Sequence, residues 1–174
     1  MPRQTLARIA ALFYAANFVL GTLAFMWLQQ GRTAAASQMT LFAAADYAVV
    51  ALLLGRLFEP AGRALSWTVA AVGLAGCAMS VIGPLGLGTP PVNALAVFGL
   101  YCVGLGTLVA RSGMMPRWIG WLLMLGGVSW LTFALPALSR TLMPYNMAPG
   151  FIAELVFTLW LLVFGVRQSE PRNG

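Results

Sequence analysis

Long apolar stretches alternate with short polar or Gly- and Pro-containing segments along the whole chain. Each apolar stretch is about 20 residues long, the length that an α-helix needs to cross the hydrocarbon core of a bilayer. The segments between them show neither a second domain nor a long repeat. The pattern predicts a single all-α domain over residues 1–174, a polytopic membrane protein whose bundle of six transmembrane helices covers about residues 6–29, 39–57, 64–82, 92–111, 117–135 and 150–166.

The sharpest interruption of this pattern lies between the fourth and fifth apolar stretches. Gly113 suits the left-handed residue just past a helix, and Pro116 suits the first turn of the next helix. Arg111 and Arg117 flank the break, and Trp118 follows it, where an aromatic ring favours the headgroup zone. We expect Arg111, Arg117 and Trp118 to anchor this turn at the cytoplasmic surface.

The remaining arginines agree with this orientation. Cytoplasmic loops of membrane proteins carry an excess of basic residues. In a six-helix topology, one side of the membrane would hold eight arginines and the other side two. The sequence therefore predicts that the N- and C-termini are cytoplasmic. One side holds Arg3, Arg8, Arg56, Arg63, Arg111, Arg117, Arg167 and Arg172, and the other holds Arg32 and Arg140.

The first apolar stretch is interpreted as a retained helix rather than a signal peptide. Ile9–Leu28 is about 20 residues long, whereas the apolar region of a signal peptide has about 7–15. The composition is rich in Ala, Gly and Arg and contains no Lys, which favours a GC-rich bacterium. The expected location is the bacterial cytoplasmic (inner) membrane, crossed several times.

Composition also excludes several chemistries. The chain is 60% hydrophobic and 8% charged, its ten basic residues are all Arg, and it has no His. Without His or Lys, an imidazole base, a Schiff base and a Ser-His or Ser-Lys pair are ruled out. The +6 charge is spread singly over segment ends, which excludes a nucleic-acid partner. We predict no catalytic residue, no metal ligands and no cofactor, and an enzyme is the less favoured class.

The two cysteines, Cys77 and Cys102, both fall inside apolar stretches. A free Cys behaves as a small buried hydrophobe, so packed free thiols are expected. A disulfide between neighbouring helices is the alternative.

The last third of the chain carries a family resemblance. LGTLVARSGMMPRWIGWLLMLGGVSWL followed by PGFIAELVFTLWLLVFGVR resembles the C-terminal half of a bacterial membrane family known as domain of unknown function 4386. ADYAVVALLLGRLFEP is similar to the second-helix pattern of that family, with Asp46 in its acidic position. The resemblance implies six helices and no particular activity. The matching positions are Arg111, Ser112, Gly113, Pro116, Arg117, Gly120, Glu154, Leu155, Leu159 and Trp160.

One feature departs from the family. Its members commonly have an Arg early in the third helix, and the comparable stretch Thr68–Leu74 has none. If that Arg normally pairs with a carboxylate within the bundle, the pair does not exist in this chain.

Asp46 and Glu154 are the only acidic residues within predicted spans. A charged residue at the centre of a span costs about 2.5–3.5 kcal/mol on insertion scales, so such residues are functional candidates. Both lie in the predicted outer half of the membrane. Thr158 shares a helical face with Glu154, and Asn17 shares one with Tyr14 and Gly21 near mid-membrane. These residues predict an outward-facing polar cavity, with Asp46, Glu154, Thr158 and Asn17 as candidate ligand- or proton-binding residues.

Two functions follow as hypotheses. The first is an integral membrane protein that binds or moves a small molecule or a proton through this cavity. The alternative is an accessory or structural subunit that packs against a larger membrane complex, so that the expected partners are the lipid bilayer and either a small ligand or other membrane subunits. A structural interpretation of the acids also stands: a protonated carboxyl group can join neighbouring helices, and Glu154 can pair with Arg140 of the adjoining loop.

Overall fold

The computed structural model describes residues 2–167, and every regular element in that range is helical. The chain begins with two long helices joined by a short turn and ends with a helix that returns to the start of the first. Three short 3-10 segments, Glu59–Ala61, Thr132–Ala134 and Tyr145–Met147, join the helices. The helices are α1 (Arg3–Gln29), α2 (Thr33–Leu57), α3 (Arg63–Val81), α4 (Ala94–Ser112), α5 (Arg117–Leu131), α6 (Pro136–Leu142) and α7 (Ala148–Val163).

Five helical segments are long and apolar enough to cross a membrane: α1 to α4, and Tyr145–Val163, which contains α7. A sixth span is obtained if Arg117–Ala134 and Pro136–Leu142, which meet at an angle of 119°, are counted together. The bend falls at Pro136, which has no N–H with which to continue the ladder of α5. The predicted all-helical, multi-pass class is confirmed, with five or six spans.

Most helix ends lie within four residues of the predicted positions, and two regions differ more. α2 begins at Thr33, six residues before the predicted start, because Ala34–Ala36 favours helix although it is not strongly apolar. The predicted loop after α1 therefore shrinks to a turn in which Gly31 has a φ of 72°. The segment after α5 contains the short helix α6 where an irregular loop was predicted.

α4 and α5 pack with their backbones almost in contact. A Cβ atom added to Gly99 would lie 2.7 Å from the carbonyl oxygen of Gly127, and one added to Gly106 would lie 2.5 Å from that of Gly120. Small residues allow such close approach between helices. α1 contacts both α2 and α7, so the first and last helices close the bundle.

Hydrogen bonds bring the start of α1, the turn after α4 and the end of α7 together. The Gln4 amide donates to the Phe164 carbonyl and accepts from the Val166 N–H, both at 3.0 Å. The Arg167 N–H donates to the Met114 carbonyl at 2.8 Å. We call the end of the bundle that contains Gln4, Met114 and Val166 the turn end, and the other end the opposite end.

The turn itself has the predicted form. Gly113 ends α4 with a left-handed φ of 66°, and Pro116 immediately precedes α5. Arg111, Arg117 and Trp118 are exposed around it. That these residues anchor the turn at a cytoplasmic surface stays a prediction.

Candidate functional site

The carboxyl group of Glu154 lies where several helices converge. Its Oε1 accepts hydrogen bonds from the indole N–H of Trp130 at 2.8 Å and from the thiol of Cys102 at 3.6 Å. Its Oε2 accepts from the hydroxyl of Tyr14 at 2.7 Å. Donors from α1, α4 and α5 therefore meet one carboxyl group on α7.

The hydrogen bonds continue from Tyr14 to α2. The hydroxyl of Tyr47 lies 3.0 Å from that of Tyr14, and both rings are almost completely buried. The two rings meet edge to face with centroids 5.3 Å apart, and Tyr47 makes a similar contact with Phe98 of α4. The phenol groups form a fixed chain of hydroxyls that ends at Glu154.

Small residues let α5 and α7 approach closely enough to form this site. The backbone of Gly150 lies directly against the indole ring of Trp130, where any Cβ would overlap the ring. One turn along α5, a Cβ on Gly126 would lie 2.8 Å from that of Ala153. Glu154 follows Ala153, so this contact sets the height at which the carboxyl group meets the indole.

A cavity of about 670 Å³ lies beside Glu154 in the half of the bundle toward the opposite end. Its walls come from the second half of α1, the first half of α2, the end of α3, the start of α4, the end of α5 and the region where α7 begins. Thr22 and Phe25 line it and are exposed, so it is not sealed. Its aromatic lining consists of Tyr14, Phe18, Phe25, Tyr47, Phe98, Trp130 and Phe151.

Among the residues that the structure describes, Glu154 is the only charged one that lines this cavity. Over residues 2–167, the one ion pair joins Arg63 to Glu59 at 3.1 Å, near the turn end. Glu154 therefore has hydrogen-bond donors but no cationic partner in the described part of the chain. No group of three or more His, Cys, Asp or Glu side chains that could hold a metal ion occurs among the same residues.

Some of the candidate residues from the sequence line the cavity and others do not. Tyr14, Asn17 and Gly21 all line the cavity, as their helical spacing predicts. The Asn17 amide also donates to the Ala43 carbonyl at 2.8 Å, which joins α1 to α2. Thr158 is buried, but its hydroxyl donates to the Glu154 backbone carbonyl at 2.8 Å and it does not line the cavity.

Asp46 stands apart from Glu154. It precedes Tyr47 and so lies at the level of the site, but it does not line the cavity. Phe42 and Val49, one turn away on either side, are exposed, so Asp46 lies at the edge of the outer face of α2. Its Oδ2 is buried and has no hydrogen-bond partner among the described residues. The carboxyl groups of Asp46 and Glu154 thus do not form one polar cluster.

The structure gives Glu154 partners that the sequence did not indicate. Arg140 was the candidate partner, whereas Tyr14, Trp130 and Cys102 are the observed ones. Tyr14 was recognisable from its shared face with Asn17. Trp130 lies in an apolar stretch among other tryptophans and has no local signal that separates it from a lipid-facing residue. Cys77 and Cys102 are buried free thiols, as predicted.

The fold and the site define a helical, multi-pass membrane protein with a ligand-sized cavity that contains one acidic side chain. The family described as "Domain of unknown function (DUF4386)" matches residues 92–165, which confirms the resemblance seen in the sequence. The matched segment runs from just before α4 through α7 and includes Cys102, Trp130 and Glu154. Tyr14 and Tyr47 lie outside it.

A relative in Archaeoglobus fulgidus, described as an uncharacterized protein, is 33% identical over 73 residues. The alignment covers 42% of this chain and 44% of the relative, so the chain matches less than half of that protein's length. No solved structure matches the chain. These comparisons support a membrane protein family without adding an activity.

Proposed function

We propose that this chain is a membrane protein that binds a small molecule in the cavity beside Glu154. The observation that carries the proposal is the position of Glu154, a single acid with three fixed donors on the wall of a cavity of about 670 Å³. Ligand pockets have volumes of about 300–1,000 Å³ and are mainly apolar, with a few polar groups that orient the ligand. Glu154 is the orienting group, and it is also the group that would exchange a proton.

Asn17 extends the polar part of the cavity wall. Thr158 supports the α7 backbone behind Glu154, and Asp46, at the edge of the outer face of α2, does not contact the ligand. In this proposal Glu154 anchors the ligand, Asn17 and Thr158 have supporting roles, and Asp46 has none.

We further propose that the turn end faces the cytoplasm, so that the cavity opens toward the outside. The described arginines support this orientation, because Arg32 and Arg140 alone lie at the opposite end. A bacterial inner membrane is the proposed location, and the lysine-free composition supports it. Fusions of green fluorescent protein and of alkaline phosphatase after the last residue test the orientation: fluorescence without phosphatase activity is expected, and the reverse would contradict it.

The cavity is tested with a probe and an occluding variant. Gly21 lines the cavity, and a Cβ there would meet nothing within 4 Å, so Gly21→Phe adds a ring at the cavity wall without overlap at its base. Fluorophenylbutylamine and fluorophenylbutanol are titrated with the full chain in detergent micelles and observed by fluorine NMR. At least one probe should broaden with wild-type protein and not with Gly21→Phe, because partition into micelles is the same for both.

Equal broadening with wild type and Gly21→Phe would overturn the ligand-binding proposal. The accessory-subunit alternative would then be the better one. It predicts that gentle detergent extraction from the native host recovers the chain with a larger membrane protein. Recovery as a monomer or a homo-oligomer would count against that alternative.

A further inference from the structure

We propose that the ligand of the cavity is an organic cation, an apolar body that carries a protonated amine, with its ammonium group against Glu154. This inference rests on the proposed function and names the chemical class of the ligand. It follows from which hydrogen-bond donors and which charged groups on the cavity wall have no partner within the described residues.

The donors around Glu154 are already used. Trp130 can only donate, and its single N–H is directed at Oε1. Since Tyr14 donates to Oε2, the hydroxyl of Tyr47 donates to Tyr14 and not to the cavity. Among the polar groups nearest to the carboxyl group, what remains available to a ligand is lone pairs.

Two hydroxyls farther along the wall also use their hydrogens within the protein. Thr40 donates to the Ala36 carbonyl at 2.9 Å, and Ser80 donates to the Cys77 carbonyl at 2.7 Å. Each therefore presents acceptor lone pairs to the cavity. Thr22, at the exposed edge, is the one hydroxyl on the wall with no such bond in the described part of the chain. Apart from Thr22 and the second amide N–H of Asn17, the polar groups on the wall offer acceptors, which favours a ligand that brings donors.

The charge balance points the same way. Within residues 2–167, no arginine lines the cavity, and the ion pair at Arg63 lies near the turn end. A carboxylate has about four lone-pair sites, and three donors occupy three of them around Glu154. One site is left for an ammonium N–H. An anionic ligand would meet Glu154 with no basic side chain beside it.

The apolar part of the wall suits the rest of such a ligand. Phe18, Phe98 and Phe151 line the cavity together with the rings of Tyr47 and Trp130. Aromatic faces attract cations as well as apolar groups, and such attraction increases where water is excluded. An amine with an aryl or alkyl body therefore finds a partner for each of its parts.

The test compares three fluorinated probes that share one apolar body: fluorophenylbutylamine, fluorophenylbutanol and fluorophenylbutanoate. Dissociation constants are measured by fluorine NMR with the full chain in micelles, and Gly21→Phe supplies the background for each probe. The amine should bind about tenfold or more tightly than the alcohol, the factor that a hydrogen bond to a charged group typically contributes. The carboxylate should bind more weakly still.

Two variants assign the preference to a residue. Glu154→Gln should reduce amine binding to the level of the alcohol, whereas Glu59→Gln, which removes an acid near the turn end, should leave it unchanged. Loss of the preference in Asp46→Asn but not in Glu154→Gln would overturn the assignment to Glu154. Circular dichroism checks that each variant is folded. The three probes in the wild-type chain decide the class of ligand even if Glu154→Gln does not fold.

The outcomes separate this inference from the proposed function. If the alcohol or the carboxylate binds as tightly as the amine, and Gly21→Phe still removes that binding, the cation inference is wrong and the cavity remains a ligand site. If no probe distinguishes wild type from Gly21→Phe, both are wrong.

Discussion

The contact between α4 and α5 makes a strong prediction for Gly106→Ala. The added Cβ would lie 2.5 Å from the carbonyl oxygen of Gly120 and 2.9 Å from the backbone nitrogen of Met124, whereas ordinary contacts begin at 3.4 Å. Both atoms belong to the backbone, so no side-chain rotation removes the overlap. The two helices must separate by close to an ångström.

The expected cost combines two opposing terms. Overpacking costs about 1–3 kcal/mol, and a backbone obstacle belongs at the upper end of that range. Alanine is favoured over glycine within a helix by about 1 kcal/mol, which offsets part of the cost. We therefore expect Gly106→Ala to lower the free energy of unfolding by about 2 kcal/mol.

Two matched variants isolate the steric term. Gly21→Ala adds the same methyl group where nothing lies within 4 Å, so it should leave stability equal or raise it. Gly104→Ala, on the same helix as Gly106, meets the Val69 side chain rather than backbone atoms, and should cost less. Unfolding by SDS in mixed micelles, followed by far-ultraviolet circular dichroism, measures all three. If Gly106→Ala and Gly21→Ala have the same free energy of unfolding, the close contact between Gly106 and the Gly120 carbonyl is refuted.

Three further predictions use the same unfolding assay. Gly113→Ala should cost about 1–2 kcal/mol, because a Cβ disfavours the left-handed φ of 66°, and an unchanged stability would show that the turn relaxes freely. Ser66→Ala should cost about 1 kcal/mol, because the buried Ser66 hydroxyl donates to the Gly55 carbonyl at 2.6 Å; no loss would mean that this carbonyl finds another donor. Tyr14→Phe should lower the free energy of unfolding by about 1.5–3 kcal/mol if Glu154 is ionised. Adding Tyr47→Phe should then cost little more, because Tyr14→Phe has already removed the hydroxyl to which Tyr47 donates. Additive losses in the double variant would argue against a continuous hydroxyl chain.

Features that depend on chain length and local geometry could be predicted from the sequence. The apolar stretches mark the helices because each must satisfy its own backbone hydrogen bonds in an apolar surrounding. The turn at Gly113 and Pro116 was predictable because the geometry of a helix end depends on a few adjacent residues. Thr33 was missed as the start of α2 because alanine extends a helix beyond its apolar part.

The composition of the site could be predicted only in part. The sequence gives Asp46 and Glu154 the same claim to be a site residue, since both are acids within apolar stretches. Only the rotation of each helix separates them, and that rotation depends on contacts with other helices. α2 is apolar around most of its circumference, so its pattern does not reveal which side faces inward. The indole of Trp130 reaches Glu154 because Gly150, 20 positions along the chain, leaves room for it.

The connection of Gln4 to Phe164 and Val166 has a consequence for biosynthesis. Tyr14 emerges from the ribosome with the first helix, but the carboxyl group to which it donates belongs to the last helix of the described chain. The tyrosine pair on α1 and α2 can form early, whereas Glu154 is added only after α3 to α6 have been made. A nascent chain that lacks α7 therefore has most of the aromatic wall but no acidic side chain on it. If the proposed cation site is correct, the chain acquires it only when α7 packs against α1 and α5.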